Sequence, residues 1–230
     1  MDFEDLTVRI VSCRKCPRLV SHREEVAKNP PRRFRGQSYW SRPLVGFGDR
    51  SARILVVGLA PAAHGGNRTG RMFTGDSSAN FLASVLHELG LANKPTSESA
   101  DDGLQLTGVY LTAAVRCAPP ENKPSLVEME NCYPFLLEEA KLLSQLKVVV
   151  ALGAIGFRAS ARSLKDLGFS PERKPKFKHG VELVYTDVQG RRVFLLGSYH
   201  PSRQNTQTGR LTREMFVAVF RRAIELAGYS

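Results

Sequence analysis

Five short apolar runs punctuate the chain: RILVVGL (53–59), GVYLTAAV (108–115), KVVVALG (147–153), VELVYT (181–186) and RVFLLGS (192–198). Each has the length of a strand, and several are apolar at consecutive rather than alternate positions. A strand that is apolar on both faces belongs in the middle of a parallel sheet covered by helices. Between the runs the apolar period lengthens to that of a helix. Phe81, Leu82, Val85, Leu86 and Leu89 make one stripe, opened by Ser77 and Ser78 and closed by Gly90. Ser125 and Glu128 are spaced as a capping box ahead of a helix reaching about Leu143. Thr212 can cap a last helix with the stripe Phe216, Val219, Phe220 and Ala223. Alternating strand and helix predict a three-layer α/β/α fold around a mainly parallel sheet, as one domain over residues 1–230. Two stretches fall outside the pattern, KNPPRRFRGQSYWSRPLVGFGDR (28–50) and the basic segment 162–180 with Arg162, Lys165, Arg173, Lys174, Lys176 and Lys178. Both read as surface loops, their cations either solvated or set against phosphates, with Tyr39 or Trp40 packing nearby.

Length and composition narrow the class. A chain of 230 residues with 42% hydrophobic content buries a substantial core in one domain, or in two small ones at most. No apolar run approaches the roughly 20 residues needed to span a bilayer. The opening MDFEDLTVRI carries acids where a signal peptide needs an apolar stretch, so a soluble, cytoplasmic protein is expected, with no membrane partner. The charge changes the picture more. Thirty-three Lys and Arg against 22 Asp and Glu leave a net charge of +11, a field that draws polyanions, nucleic acid first.

The four cysteines add a second chemistry. Cys13 and Cys16 form a C-x2-C pair next to Pro17; Cys117 follows a predicted strand and Cys132 falls on a predicted helix. Disulfides do not persist in a reducing compartment. Four buried, unrelated thiols are one possibility. The paired spacing argues instead for metal, and four thiolates suit either structural zinc or a [4Fe–4S] cluster.

After the first strand comes GLAPAAHGGNRTGRMFTGD (58–76), with five glycines among His64, Asn67, Arg68, Arg71 and Asp76. Gly65 and Gly70 have the G-x4-G spacing of a P-loop, but Arg71-Met72 stands where Lys-Ser/Thr is required, and no Rossmann glycine pattern fits. GSYHPSRQNTQTGRLT (197–212) follows the last strand, placing His200 at its carboxyl end as Gly58–Ala63 lie at the end of the first. Ligands of open α/β sheets bind at such ends.

GLAPAAHGGNRTGRMFTGD, VRCAPPENKPS, HPSRQNTQTG and the four cysteines, taken together in this order, resemble the family 5 (type b) uracil-DNA glycosylases. The resemblance covers nearly the whole chain. It implies a uracil-DNA glycosylase-like fold, a [4Fe–4S] cluster on Cys13, Cys16, Cys117 and Cys132, and hydrolytic excision of deaminated bases from double- and single-stranded DNA. A monomer is expected. A non-catalytic DNA-binding or electron-transfer module is the competing class; a ferredoxin groups its cysteines more closely and has no use for His200 or the loop after Gly58.

Such excision breaks an N-glycosidic bond through an oxocarbenium-like sugar after the nucleotide has been flipped from the stack. Phe73 matches the family's stacking aromatic, and its bland alternative is core packing. His200, neutral, would donate to the base as negative charge grows on it. Gly58, Ala60 and Ala62 would let base and backbone approach closely. Ser202, Arg203, Gln204 and Asn205 lie in the stretch expected to fill the space left by the flipped nucleotide. Related glycosylases carry a polar water-activating residue in the first motif, where this chain has Leu59 and Ala60. Asp76 is the nearest carboxylate, in competition with a helix-capping role; His64 and Asn122 are further candidates. Uracil-specific relatives also place an Asn at the position of Ala113, which implies a wider base range, hypoxanthine included.

Overall fold

A computed structural model describes residues 2–229. The chain opens with two helices, α1 (Phe3–Val11) and α2 (Pro17–Lys28), followed by the two-residue strand β1 (Phe47–Gly48) and the strand β2 (Ile54–Gly58). A single turn, α3 (Gly66–Thr69), and the helix α4 (Ser77–Glu88) lead to β3 (Val109–Ala113). Then come α5 (Leu126–Leu142), β4 (Val148–Leu152), α6 (Gly153–Asp166) and β5 (Ser170–Pro171). The hairpin β6 (Glu182–Thr186) and β7 (Arg192–Ser198), the short α7 (Arg203–Gln207) and the long α8 (Arg213–Ala227) complete it.

The seven strands form one sheet in the order β1-β3-β2-β4-β7-β6-β5. β3, β2, β4 and β7 run parallel, while β1 pairs antiparallel with β3, β6 with β7, and β5 with β6. Every residue of β2, β3 and β4 is buried, the signature of a parallel centre covered on both faces. One face carries α4 and α8, through Leu82, Val85, Phe216 and Phe220; the other carries α5 and α6, through Leu136, Ala140, Phe157 and Leu164. The result is the three-layer fold that the alternation of periods predicts. Among the described residues no helix is long and apolar enough to cross a membrane.

The five predicted strands are all present, and the capping box of Ser125 and Glu128 opens α5. The structure corrects three readings. The stretches 28–50 and 162–180, expected as loops, contain the edge strands β1 and β5. Residues 162–166 are not loop but the last turn of α6, a helix whose buried face carries only two large apolar side chains, Phe157 and Leu164. Its buried face includes Gly156, Ser160 and Ser163, small residues that let it press onto the sheet: a Cβ on Gly156 would lie 2.5 Å from the Val57 carbonyl oxygen. Close packing by small residues leaves Phe157 and Leu164 as the main apolar markers of that face. Likewise Arg203–Gln207 is a short helix capped by Ser202 rather than an irregular loop.

Candidate active site

The carboxyl ends of β2 and β7 lie on the same edge of the sheet, on either side of β4, and the loop after each delivers one ring. Phe73 has left-handed backbone geometry (φ 49), costly for a bulky side chain and held here by surrounding bonds. Its carbonyl accepts from Ser97 Oγ at 2.8 Å, and Thr74, next to it, is bound by Arg71 and Ser97. Arg71 is itself buried and paired with Asp102. This network turns the Phe73 ring toward His200; the two rings are nearly parallel (24°) with centroids 6.4 Å apart. Gly58 is required by the same arrangement, since a Cβ there would lie 2.6 Å from Phe73 Cζ.

His200 leaves β7 through Tyr199 and is fixed from behind. Asn205 Nδ2 donates to the His200 carbonyl at 2.8 Å, so Asn205 points inward while Arg203 and Gln204 of the same turn are exposed. Burial pushes the His200 imidazole down to about 4, which keeps it neutral near pH 7. The tight turn at Gly153 (φ 86) brings the start of α6 alongside, where a Cβ would sit 3.7 Å from that of His200.

Asp76 caps α4: its Oδ1 accepts from the Ala79 amide at 2.9 Å. Burial raises its carboxyl above the ordinary carboxylate range, against the amides of Ala79 and Ser78 that pull it down. The other oxygen, Oδ2, lies over Gly65, where a Cβ would approach it to 2.4 Å. Capping therefore occupies one oxygen and leaves the second turned toward the glycine loop.

The remaining candidates divide. Ala113 is fully buried and stands in register beside Gly58 at the end of β3. Ala62 holds the loop together, its carbonyl accepting from Gly65 and Asn67. Ala60 packs toward the cysteines. His64 is engaged elsewhere: Nδ1 lies 2.9 Å from the Tyr39 hydroxyl, and burial with Arg33 and Arg68 nearby lowers its pKa. Asn122 follows Glu121 in left-handed geometry on an exposed loop and bonds neither Asp76 nor His200.

The four cysteines converge. Cys13 and Cys16 precede α2, Cys117 follows β3, and Cys132 projects from α5; all four line one cavity with Leu19, Val20, Arg23 and Phe135. Among the described residues no three His, Cys, Asp or Glu side chains close on a single metal-binding point. Burial pushes the Cys117 thiol up to about 12, opposed by Arg23, and that of Cys132 up to about 11. Arg23 is 2% exposed and has no carboxylate partner among the described residues; Nη1 donates to Cys117 Sγ at 2.9 Å. Sequence reasoning missed Arg23, and a lone Arg inside a helix carries no signal that would have revealed it. It also missed Tyr199 and His179, which back His200.

The family model for the uracil DNA glycosylase superfamily matches residues 45–224. A type-5 uracil-DNA glycosylase of Thermus thermophilus is 54% identical over 99% of this chain and all of its own length. Another, from Pyrobaculum aerophilum, is 51% identical over 98% of this chain and 94% of its own. A type-4 uracil-DNA glycosylase of the latter organism is more distant, 27% identical over 88% of this chain and 84% of its own.

Proposed function

This chain belongs to the uracil-DNA glycosylase superfamily, and from that premise we propose that it excises uracil from DNA by hydrolysing the N-glycosidic bond, leaving an abasic site. The observation that carries the reading is the ring pair of Phe73 and His200, posed by strained backbone on one side and a half-buried imidazole, neutral near pH 7, on the other. A flipped base stacks on Phe73. His200 donates to the base as negative charge accumulates, a bond that strengthens toward the transition state and therefore accelerates the reaction. Asp76 supplies its free oxygen to the oxocarbenium-like sugar or to the attacking water. Incubation with uracil-containing duplex tests this directly: abasic sites are the expected product, and intact strands would refute it.

The base range follows from Ala113. A side chain that hydrogen-bonds one base edge rejects bases that leave it unpaired, and alanine beside Gly58 can do neither. Hypoxanthine is thus excised too, helped where a mismatch lowers the cost of flipping. Single-turnover rates on U·G, U·A and hypoxanthine·T duplexes decide; activity confined to uracil would show that Ala113 does not open the pocket.

We propose that Cys13, Cys16, Cys117 and Cys132, which line one cavity, hold a [4Fe–4S] cluster. A buried guanidinium without a carboxylate needs an anion, and a cluster ligated by four thiolates is one. Asn131 Nδ2, 3.5 Å from Cys16 Sγ, adds a second donor toward the sulfurs. Bound there, the cluster serves as a cross-link between α2, the segment after β3, and α5. Brown protein with near-stoichiometric iron and sulfide is expected; colourless, fully active protein carrying zinc would overturn the assignment.

A further inference from the structure

Of the two basic stretches outside the regular pattern, 162–180 has its arginines already committed. Arg162 pairs with Glu130 at 2.6 Å and lies over the Tyr133 ring, while Arg173 is held by Glu172 and by the Glu182 carbonyl. The residues that follow Arg173 are different. Along 174–179, Lys174, Lys176 and Lys178 are exposed while Pro175, Phe177 and His179 are half-buried. None of the three lysines has an ion-pair partner among the described residues. An every-second-residue alternation is that of extended chain, so the three ammonium groups share one side at intervals of about 6.6 Å. That interval is close to the separation of neighbouring phosphates along one nucleic-acid strand.

The inward-facing residues determine where this row sits. Phe177 packs edge-on against Phe157 and against Tyr199, with centroids 5.6 and 6.3 Å apart. The His179 ring stacks on Tyr199 at 5.0 Å, and its Nδ1 accepts from the Tyr199 amide at 3.2 Å. The Gly180 amide donates to the Gly197 carbonyl at 2.8 Å. Gly197 has no side chain for a reason: a Cβ there would meet the Lys178 carbonyl oxygen at 2.8 Å. Tyr199 immediately precedes His200, so the lysine row is anchored to the residue that carries the imidazole into the site. From the other side Arg210 covers the same Tyr199 ring, its guanidinium carbon 4.6 Å from the centroid.

We propose that Lys174, Lys176 and Lys178 form a phosphate-binding rail, held against Tyr199, that grips one strand of the DNA backbone beside the base being excised. The inference rests on the glycosylase reading of the site. It assigns to these lysines a positioning role: they read charge and spacing, carry no base specificity, and set the register of the strand relative to His200.

The test uses the full-length protein and a variant with Lys174→Ala, Lys176→Ala and Lys178→Ala together. A charge-matched control replaces Lys141, Lys147 and Arg192, exposed at the amino-terminal end of the sheet. Binding to a uracil-containing duplex and to the same duplex with thymine is measured from low to physiological salt. Each phosphate contact contributes about 0.9 to the slope of log K against log salt, so the rail variant should have a slope shallower by 2 to 3. Its loss of affinity should be the same for both duplexes, as expected for contacts blind to sequence, and the control should keep the wild-type slope. An unchanged slope in the rail variant, an equal change in the control, or a loss confined to the uracil duplex would overturn the rail. Wild-type protein that releases no uracil would instead overturn the reading of the site, whatever the slopes.

Discussion

At the scale of single residues, Asp76 carries two duties that substitution can separate. One oxygen caps α4 through the Ala79 amide, and Asn caps as well as Asp does. Asp76→Asn should therefore keep the wild-type melting temperature while losing most of the single-turnover rate, because the amide has no charge to set against a cationic sugar. Asp76→Ala should lose both, with about 1 kcal/mol of stability going with the cap. Full activity in the Asn variant would reduce Asp76 to a cap. His200 gives a pH-dependent counterpart. Its imidazole is lowered from the ordinary 6.5 to about 4 by burial, so above pH 6.5 it is neutral both folded and unfolded and its contribution to stability is complete. As pH falls from 6.5 to 4 the unfolded chain takes up a proton that the folded site refuses, and stability is lost. Thermal melts across that window should show the wild type declining more steeply than His200→Gln; parallel curves would mean that the imidazole titrates in the folded protein as it does in water.

At the scale of elements, one buried ion pair ties several segments of the fold together. Arg116 and Glu139 are each 1% exposed and paired at 2.6 Å. Glu139 also accepts from Thr112 Oγ1 on β3 at 2.6 Å and from the Gly46 amide at 3.0 Å. One carboxylate on α5 thus ties together β3, the segment entering β1, and the residue that precedes Cys117. Removing one partner of such a pair strands a buried charge, so Glu139→Ala should cost about 3–5 kcal/mol. Chemical denaturation measures it, and a loss below 1 kcal/mol would show that Arg116 finds another partner. None of this network is visible in sequence, where Arg116 is one more cation in a basic chain and Glu139 one more acid on a helix. The strands were legible because burial on both faces writes consecutive apolar residues. α4, α5 and α8 were legible through their caps. α1, α2 and α6 were not read, although Asp2 and Asp5 form a capping box at the start of α1 and α6 buries Phe157 and Leu164 beside its Gly and Ser; α2 buries an arginine. His200 and Phe73 could be nominated from motif order, but the left-handed Phe73 backbone and the Asn205 clamp arise only once residues distant in sequence are brought together.

At the scale of the whole molecule, the sheet and the amino-terminal helices are stabilised by different means. The central strands share two large apolar clusters, one on each face. α1 contributes Leu6 and Ile10 to a small group with Phe135, and α2 buries Leu19, Val20 and Arg23. So little apolar area cannot by itself hold two helices firmly against the sheet, and local opening there is expected to be easy unless something else closes it. The cysteine cavity lies between these helices and α5, with Arg23 inside it. Iron bound by the four thiolates would close that junction covalently, and its loss would leave the Arg23 cation facing the Cys117 thiol, which burial pushes up. Hydrogen exchange before and after oxidative removal of iron makes the comparison. Exchange should rise in residues 3–28 and in the first turns of α5, while amides of β2, β4 and β7 keep their protection. A uniform rise across the sheet would mean that the cavity belongs to the main folding unit, and no rise at all would mean that α1 and α2 are held by packing alone.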